Sequence, residues 1–277
     1  MYNTAMDVKI YPIDAGSFRV DGGAMFGVVP RVLWQRQHPP DDLNRIAQAL
    51  RPILIIDGHR NILVDTGNGN WHKDKLVKNY ALQTTDFDSS LAACNLTSED
   101  ITDVILTHLH FDHAGGLVTR RNSQISLTFP KARAWVQEEQ LLWAQNPSPK
   151  DRASFMDIYL KPLLECPRLE LVQGEFQISD NVSVIPFYGH TPAMQAVMAC
   201  NEAGKHFFAT DLFPNVSHLR VPYISAYDNN SVVASQEKQR VLSDACREKW
   251  TIYFYHDPHV SKGQVISEGG KFGFKPL

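Results

Sequence analysis

Three histidines and one aspartate lie within six residues of the segment THLHFDHAGG, which spans positions 107–116. The apolar residues directly before it, ITDVIL, predict a buried strand. On an extended backbone alternate side chains share a face, so His108 and His110 can point the same way, whereas Asp112 and His113 follow after the chain turns. Histidine and carboxylate ligands suit zinc or a similar divalent ion. The segment therefore predicts a metal site at the end of a strand.

Three later apolar stretches also end in a residue that could bind a metal. VIPFYGH ends at His190, HFFATD ends at Asp211 and TIYFYH ends at His256. Side chains at strand ends can converge on one site while the sheet keeps that site rigid. The sequence thus contains enough candidate ligands to complete the site that begins at 107–116.

The order of these motifs is HxHxDH, then Gly-His-Thr-Pro, then a single aspartate after a strand, then a late histidine. It resembles the order found in the metallo-β-lactamase-fold hydrolases, over roughly residues 8–260. The resemblance implies an α/β fold of four layers, an αββα sandwich of two mixed β-sheets flanked by helices. It also implies two metal positions, the first bound by His108, His110 and His190, the second by Asp112, His113 and His256, with Asp211 bridging the two. Asp65, in the motif VDTG, would support the ligand loop rather than bind metal.

Both implied metal positions have a full set of ligands, which predicts two divalent ions, with zinc as the expected metal. Two ions about 3.5–4 Å apart can share a hydroxide that forms near neutral pH, and this hydroxide would attack an ester carbonyl. Asp112 or Asp211 could take the proton after the attack. The predicted reaction is hydrolysis, and it needs no serine or cysteine nucleophile.

The segments HLHFDHAGG, VPYISAYD and HDP are most similar to the quorum-quenching acyl-homoserine lactonase group, which favours a lactone substrate. A phosphodiester or thioester hydrolase of the same fold is the alternative. Two positions depart from the lactonase pattern: Ala193-Met194 stand where many relatives have Gly-His, and no tyrosine follows Asp211 closely. Tyr223 or Tyr227 would have to replace that tyrosine as the donor to the leaving group. The candidate substrate contacts are Phe26, Tyr223, Tyr227 and Arg220.

Strand-like and helix-like segments alternate in both halves of the chain, which favours two packed sheets with helices outside. Besides the strands that end at the motifs, strands are expected at 8–12, 52–57 and 61–67, with a turn at 58–60, and helices at 87–94, 137–145, 151–165 and 231–249. Residues 21–50 are rich in glycine, proline and aromatic residues and are expected to form a long loop. Together with apolar residues near 143–160, this loop would line a pocket for a hydrophobic substrate tail.

The composition is that of an ordinary globular protein, with 277 residues, 43% hydrophobic and 21% charged, and a formal net charge of −3. No linker-like stretch divides the chain, so a single domain over 1–277 is expected. The charge argues against a nucleic-acid partner, and no stretch approaches the ~18 apolar residues of a membrane span. The four cysteines form no CxxC pair and the first residues lack a secretory pattern, so we expect reduced thiols and a cytoplasmic location. The expected partner is a small-molecule substrate, and the chain is expected to be a monomer or homodimer.

Overall fold

The structure is a computed structural model that describes residues 8–269 and 271–277. Its strands are β1 (Lys9–Pro12), β2 (Gly16–Asp21), β3 (Arg45–Ala49), β4 (Ile53–Asp57), β5 (Arg60–Val64), β6 (Gln83–Thr84), β7 (Asp103–Ile105), β8 (Val118–Arg121), β9 (Gln124–Leu127), β10 (Arg133–Gln137), β11 (Leu169–Val172), β12 (Phe176–Gln177), β13 (Val182–Phe187), β14 (Met194–Asn201), β15 (Gly204–Phe208), β16 (Thr251–Tyr253), β17 (Lys262–Glu268) and β18 (Lys271–Pro276). Its helices are α1 (Gly22–Phe26), α2 (Arg31–Trp34), α3 (Asp74–Tyr80), α4 (Phe87–Leu91), α5 (Phe111–Ala114), α6 (Glu138–Gln145), α7 (Asp157–Leu164) and α8 (Ser231–Glu248). Residues 1–7, part of the segment that lacks a secretory pattern, lie outside the described residues.

Two large mixed sheets form the centre of the fold. The six-stranded sheet has the order β1-β4-β5-β7-β10-β11, antiparallel among its first three strands and parallel from β5 onward. The seven-stranded sheet has the order β12-β13-β14-β15-β16-β17-β18, antiparallel except where β15 pairs with β16. A two-stranded hairpin, β8-β9, stands apart from both.

The two sheets face each other across a shared apolar layer. In β4, Ile53 and Ile55 lie in this layer, whereas Leu54 between them belongs to the cluster on the opposite face. Val182 and Val184 of β13 enter the same layer from the seven-stranded sheet. Successive side chains of a strand point to opposite faces, so an unbroken apolar run such as β4 buries both of its faces.

Helices cover the outer face of each sheet. Leu141 of α6 and Tyr159 of α7 belong to the cluster on the outer face of the six-stranded sheet. Leu242 and Ala245 of α8 belong to the cluster on the outer face of the seven-stranded sheet. This order of layers confirms the predicted αββα sandwich of two mixed sheets.

The prediction of a long loop over 21–50 is wrong. The segment contains α1, α2 and β3, and β3 pairs with β2 in a separate three-stranded sheet of order β3-β2-β6. Its glycine and proline delimit elements rather than disrupt them, because Gly27 ends α1 with a φ of 54° and Pro30 stands at the N-cap of α2. Ile46 of β3 is fully buried, so the segment packs onto the main body of the protein.

The helix predicted over 151–165 is shorter than expected, because α7 begins only at Asp157. Residues Arg152–Ser154 form a separate 3-10 turn, and the extended backbone of Phe155 and Met156 separates this turn from α7. The helices predicted at 87–94, 137–145 and 231–249 and the turn at 58–60 are confirmed, the first ending in a 3-10 turn at Ala92–Cys94. Across the residues that the structure describes, no helix combines the length and apolar character needed to cross a bilayer.

Candidate metal centre

The histidine-rich segment leaves the six-stranded sheet at the end of β7 and enters the short helix α5. His110 is the N-cap residue of α5, with extended backbone angles, so His108 and His110 project from extended chain. Asp112 and His113 lie inside α5 and project from a helical turn. The imidazoles of His108 and His113 are fully buried, and that of His110 is nearly so. One short stretch of chain thus presents four coordinating side chains in two directions.

The seven-stranded sheet delivers the other three candidate ligands to the same edge. His190 follows the end of β13, Asp211 lies in a 3-10 turn after β15, and His256 follows β16. The structure brings all seven candidate ligands together, in the groups His108–His110–His190, His108–His113–Asp211 and Asp112–His113–His256, with ligand atoms within 4.8 Å of one another. The two sheets therefore meet at the site, each contributing part of it.

Asp211 lies between the two groups of histidines, with one carboxylate oxygen toward each. Its Oδ2 is 3.3 Å from His190 Nε2 and 4.0 Å from His108 Nε2. Its Oδ1 is 3.4 Å from His113 Nε2 and 3.3 Å from His256 Nε2. This is the arrangement that the resemblance implies for a bridging carboxylate.

The side chains fit divalent cations. Two pairs of ring nitrogens face each other at 3.2 Å, His190 Nε2 with His110 Nδ1 and His113 Nε2 with His256 Nε2. His108 Nε2 is buried without a hydrogen-bond partner among the described residues. Converging imidazole lone pairs repel one another unless a cation or proton lies between them, and nitrogen and carboxylate donors of this kind suit zinc.

The opposite ring nitrogens of three histidines are each held by an oxygen acceptor. His113 Nδ1 lies 2.8 Å from Asp65 Oδ2, His190 Nδ1 lies 2.8 Å from Asp228 Oδ1, and His256 Nδ1 lies 3.0 Å from the Ala49 carbonyl. An acceptor at Nδ1 keeps the proton there and leaves the Nε2 lone pair free for a metal. All three Nε2 atoms point into the centre.

Asp65 occupies the supporting position that the resemblance implies. Besides His113, its carboxylate accepts hydrogen bonds at 2.8 Å from the backbone N–H and from the hydroxyl of Thr107. Asp65 therefore ties the residue that precedes His108 to the ring of His113. Asp228, which contacts His190 in the same way, is the last residue of the segment VPYISAYD, but the sequence analysis gave it no role.

Burial and neighbouring charges shift the pKa values of the candidate histidine ligands in different directions. Burial, reinforced by the adjacent imidazoles, lowers the pKa of His108 and His110 well below the ordinary value of 6.5. Burial also acts to lower the pKa of His113, but the carboxylates of Asp211 and Asp112 outweigh it and raise that pKa well above 6.5. A metal ion must displace this proton, so metal affinity should fall as the pH falls.

A cavity of about 330 Å³ opens directly onto the candidate ligands. Its apolar wall is formed by Phe18, Val20, Met25, Tyr80 and Phe111, and its polar side by Asp112, Lys150, Ser154, Asp211 and Tyr227. The sequence analysis expected residues 21–50 and apolar residues near 143–160 to line a substrate pocket, and Met25 and Ala153 from these ranges do line this cavity. It did not predict Phe18 and Val20. The alternation in SFRVD, which turns Phe18 and Val20 to one face of β2, was the available signal.

Of the four predicted substrate contacts, only Tyr227 lines this cavity. Phe26 is fully buried and stacks on Trp34, so the neighbouring Met25 faces the cavity instead. Tyr223 does not line the cavity, and its hydroxyl accepts a hydrogen bond from Arg220, whose guanidinium lies over the Tyr223 ring. The structure thus gives Phe26 and Tyr223 packing roles and leaves Arg220 at the surface.

Comparison with known proteins adds independent evidence. The model of the metallo-beta-lactamase superfamily matches residues 52–256. An N-acyl homoserine lactonase from Bacillus cereus is 25% identical over 220 residues, which cover 73% of this chain and 78% of the relative. A solved structure of a probable metal-dependent hydrolase from Staphylococcus aureus matches with a TM-score of 0.91 and 26% identity, covering 99% of this chain and 98% of that chain. The structure of AidC, a dizinc quorum-quenching lactonase, matches in fold with a TM-score of 0.80 at 19% identity, covering 98% and 95%.

The matched range 52–256 is more than half of the chain and contains all seven candidate ligands. It begins just before β4 and ends at His256, the last of those ligands. The fold, the converging ligands and this match agree with the resemblance seen in the sequence. The chain belongs to the metallo-β-lactamase superfamily and is a metal-dependent hydrolase.

Proposed function

We propose that the protein hydrolyses a neutral carboxylic ester, specifically a lactone, with two zinc ions. The observation that carries the proposal is the position of Asp211 between two groups of histidines, beside a cavity with an apolar wall. His108, His110 and His190 would hold the first ion, Asp112, His113 and His256 the second, and Asp211 would bind both.

The two ions, when bound, would polarise the ester carbonyl and make a water molecule acidic enough to react near neutral pH. The protein must then hold the ester in place and accept a proton. Asp112 and Asp211 both line the cavity, and Asp112, whose carboxylate does not lie between the two groups of histidines, can take the proton that the attacking water loses. The pKa of Asp211 is well below its ordinary value, since the nearby His113, His256 and His190 outweigh the effect of burial. Asp211 is thus ionised and ready to bind cations.

The charge distribution of the cavity favours a neutral substrate over a phosphodiester. Lys150 is the one cationic side chain among the described residues that line it, apart from the histidines. Its Nζ already donates to the carbonyls of Tyr227 and Asp228, at 2.9 and 3.0 Å. A phosphodiester would need free cations near its oxygens, whereas a lactone with an acyl tail needs an apolar wall.

Tyr227 is the best candidate donor to the leaving alkoxide. Its ring lines the cavity, and enclosure by the protein raises the pKa of its phenol, so the hydroxyl keeps its proton at neutral pH. Tyr227→Phe should therefore lower kcat with little change in KM, the signature of a contact made mainly in the transition state. Tyr223→Phe is the matched control, because its hydroxyl contacts Arg220 instead of the cavity. Equal losses in the two variants would refute the role of Tyr227.

A lactone substrate also agrees with the relatives, since the Bacillus cereus relative is an N-acyl homoserine lactonase. The test is a substrate panel on zinc-loaded protein: N-acyl homoserine lactones, an acyl thioester, an aryl phosphodiester and a penicillin. Ring opening of a lactone releases a proton, which a pH indicator detects. We expect the highest kcat/KM for a lactone. A phosphodiester or thioester hydrolysed faster than every lactone would refute the lactone assignment in favour of that alternative.

A further inference from the structure

Two residues of the site lie on a stretch without regular secondary structure, residues 220–229, which we call the 220–229 segment. It connects a 3-10 turn ending at Leu219 to the helix α8. Tyr227 on this segment lines the cavity, and Asp228 lies 2.8 Å from His190 Nδ1. The position of this segment therefore bears on the geometry of the whole centre.

A buried lysine of α8 contacts the segment near its first residues. Lys238 of α8 is only 2% exposed, and its Nζ donates to the backbone carbonyls of Tyr223 and Arg220. No carboxylate lies within ion-pair distance of this ammonium in the described part of the chain. Burying an amine away from a counter-charge costs free energy, and burial lowers the pKa of Lys238 to about 7. An apolar side chain would fill the same volume without that cost, so packing alone does not account for a lysine here.

A second lysine contacts the segment near its other end. Lys150, in the loop before α7, donates from Nζ to the carbonyls of Tyr227 and Asp228 and to Asn229 Oδ1, at 2.9, 3.0 and 3.3 Å. The neighbouring Asp151 accepts a hydrogen bond from Asn229 Nδ2 at 2.6 Å. These contacts hold Tyr227 and Asp228, the two residues of the segment that belong to the site.

The segment in turn holds His190 through its side chain and its backbone. Asp228 Oδ1 contacts His190 Nδ1, while Asp228 Oδ2 accepts a hydrogen bond from the Ser225 N–H at 3.1 Å. The N–H of Asn229 donates to the His190 carbonyl at 2.9 Å. A shift of the segment would therefore move the acceptor that fixes the tautomer and orientation of this candidate ligand.

We propose that Lys238 and Lys150 are positioning residues, which clamp the 220–229 segment near its two ends and so keep Asp228 against His190 and Tyr227 at the cavity. Both lysines donate to backbone carbonyls, which remain available whatever side chains the segment carries, and Lys150 also donates to the side chain of Asn229. The activity readout of this inference rests on the proposed function, but its metal-binding readout does not.

The experiment compares Lys238→Met, Lys150→Met and Val241→Ala. Methionine keeps an unbranched stem of similar length and removes the N–H donors. Val241 is buried in α8 beside Lys238, and its side chain has no polar group, so this variant reports the effect of lost packing alone. Zinc affinity is measured by competition with a chromophoric chelator, thermal unfolding by circular dichroism, and kcat and KM on a lactone.

Each lysine variant should bind one of its zinc ions about 10-fold more weakly, the lower end of the loss typical for residues that orient ligands. Val241→Ala should lose thermal stability and keep its zinc affinity. With a lactone, kcat should fall more than KM changes, because Tyr227 is displaced. If Lys238→Met does not fold, Lys150→Met decides the question, since Lys150 is exposed.

Wild-type zinc affinity in the lysine variants that fold, or an equal loss of affinity in Val241→Ala, would overturn the clamp. A different result would refute the proposed function. If wild-type protein binds zinc but opens no lactone, the chelator competition still tests the clamp, and only the substrate assignment is lost.

Discussion

Replacing Asp65 with asparagine tests how the candidate metal centre is supported. The Asp65 carboxylate is 1% exposed and accepts three hydrogen bonds at 2.8 Å, two from Thr107 and one from His113 Nδ1. Asparagine has the same shape and tolerates the left-handed backbone found here, where φ is 62°. Its Oδ1 can still accept from the Thr107 N–H, but its NH₂ group replaces the oxygen that faces His113.

The expected loss follows from the tautomer of His113. An NH₂ group opposite Nδ1 favours a proton on Nε2, the atom that lies 3.4 Å from Asp211 Oδ1 and would bind the metal. Losing such a partner typically weakens metal binding by about 10–100-fold. That factor corresponds to about 1.4–2.7 kcal/mol of binding free energy. Asp65→Ala should lose similar affinity, and it should also lose stability, because the buried Thr107 N–H is left without an acceptor at a cost of about 1–3 kcal/mol.

The assay is zinc competition against a chelator, with urea unfolding of the metal-free proteins alongside. We expect Asp65→Asn and Asp65→Ala to share the loss of zinc affinity, and Asp65→Asn to be the more stable of the two. Unchanged zinc affinity in Asp65→Asn would refute the tautomer argument and leave Asp65 with a purely structural role.

Further outcomes follow from other contacts. Elemental analysis of reconstituted protein should find two zinc ions per chain in the wild type and fewer in Asp211→Ala, because each oxygen of the Asp211 carboxylate faces one group of ligands. Two zinc ions per chain in the variant would contradict a bridging role for Asp211. Gly116→Ala should lower the melting temperature sharply, because a Cβ there would lie 1.8 Å from the Thr66 carbonyl oxygen, whereas Gly174→Ala, which meets no atom within 4 Å, should cost only backbone strain of about 1–2 kcal/mol. Burial lowers the pKa of Lys238 to about 7 in the folded chain, against an ordinary 10.5, so folding disfavours the protonated lysine. The cost in folding free energy is complete below pH 7 and disappears as the pH rises to 10.5. Urea unfolding should show the free energy of unfolding of the wild type rising with pH above 7, by up to about 1.4 kcal/mol per pH unit relative to Lys238→Met; parallel curves would contradict this.

The sequence allowed the candidate ligands to be predicted because each one stands at the end of an apolar run. Strand ends at one edge of a sheet meet in space, so His190 after β13 and His256 after β16 could be assigned to one site before their distances were known. Asp211 was the least obvious, since a single aspartate after a strand has many uses, and the order of motifs supplied its role. The order of layers followed from the same alternation of strands and helices.

The substrate contacts were harder to predict, because they depend on rotations that no motif encodes. Phe26 and Met25 are adjacent in α1, and the helix turns one into the core and the other into the cavity. Asp228 contacts His190 from a turn whose backbone accepts hydrogen bonds from Lys150 and Lys238. Such contacts join residues far apart in the chain, so neither periodicity nor local composition reveals them.

In the proposed function, metal binding and contact with the substrate tail involve different parts of this chain. All seven candidate ligands lie within 52–256, the range that the superfamily model matches, and they are held by the two central sheets. Phe18, Val20 and Met25, which form much of the apolar wall, precede that range and belong to β2 and α1. The family match therefore accounts for the hydrolytic centre and carries no information about these three residues. Since side chains that contact the substrate tail set specificity while the centre supplies reactivity, substitutions at these positions should change the preferred acyl chain without changing zinc affinity. Measuring kcat/KM for lactones of increasing chain length in Val20→Phe and Met25→Ala would separate the two functions, and a loss of zinc in either variant would show that they are coupled.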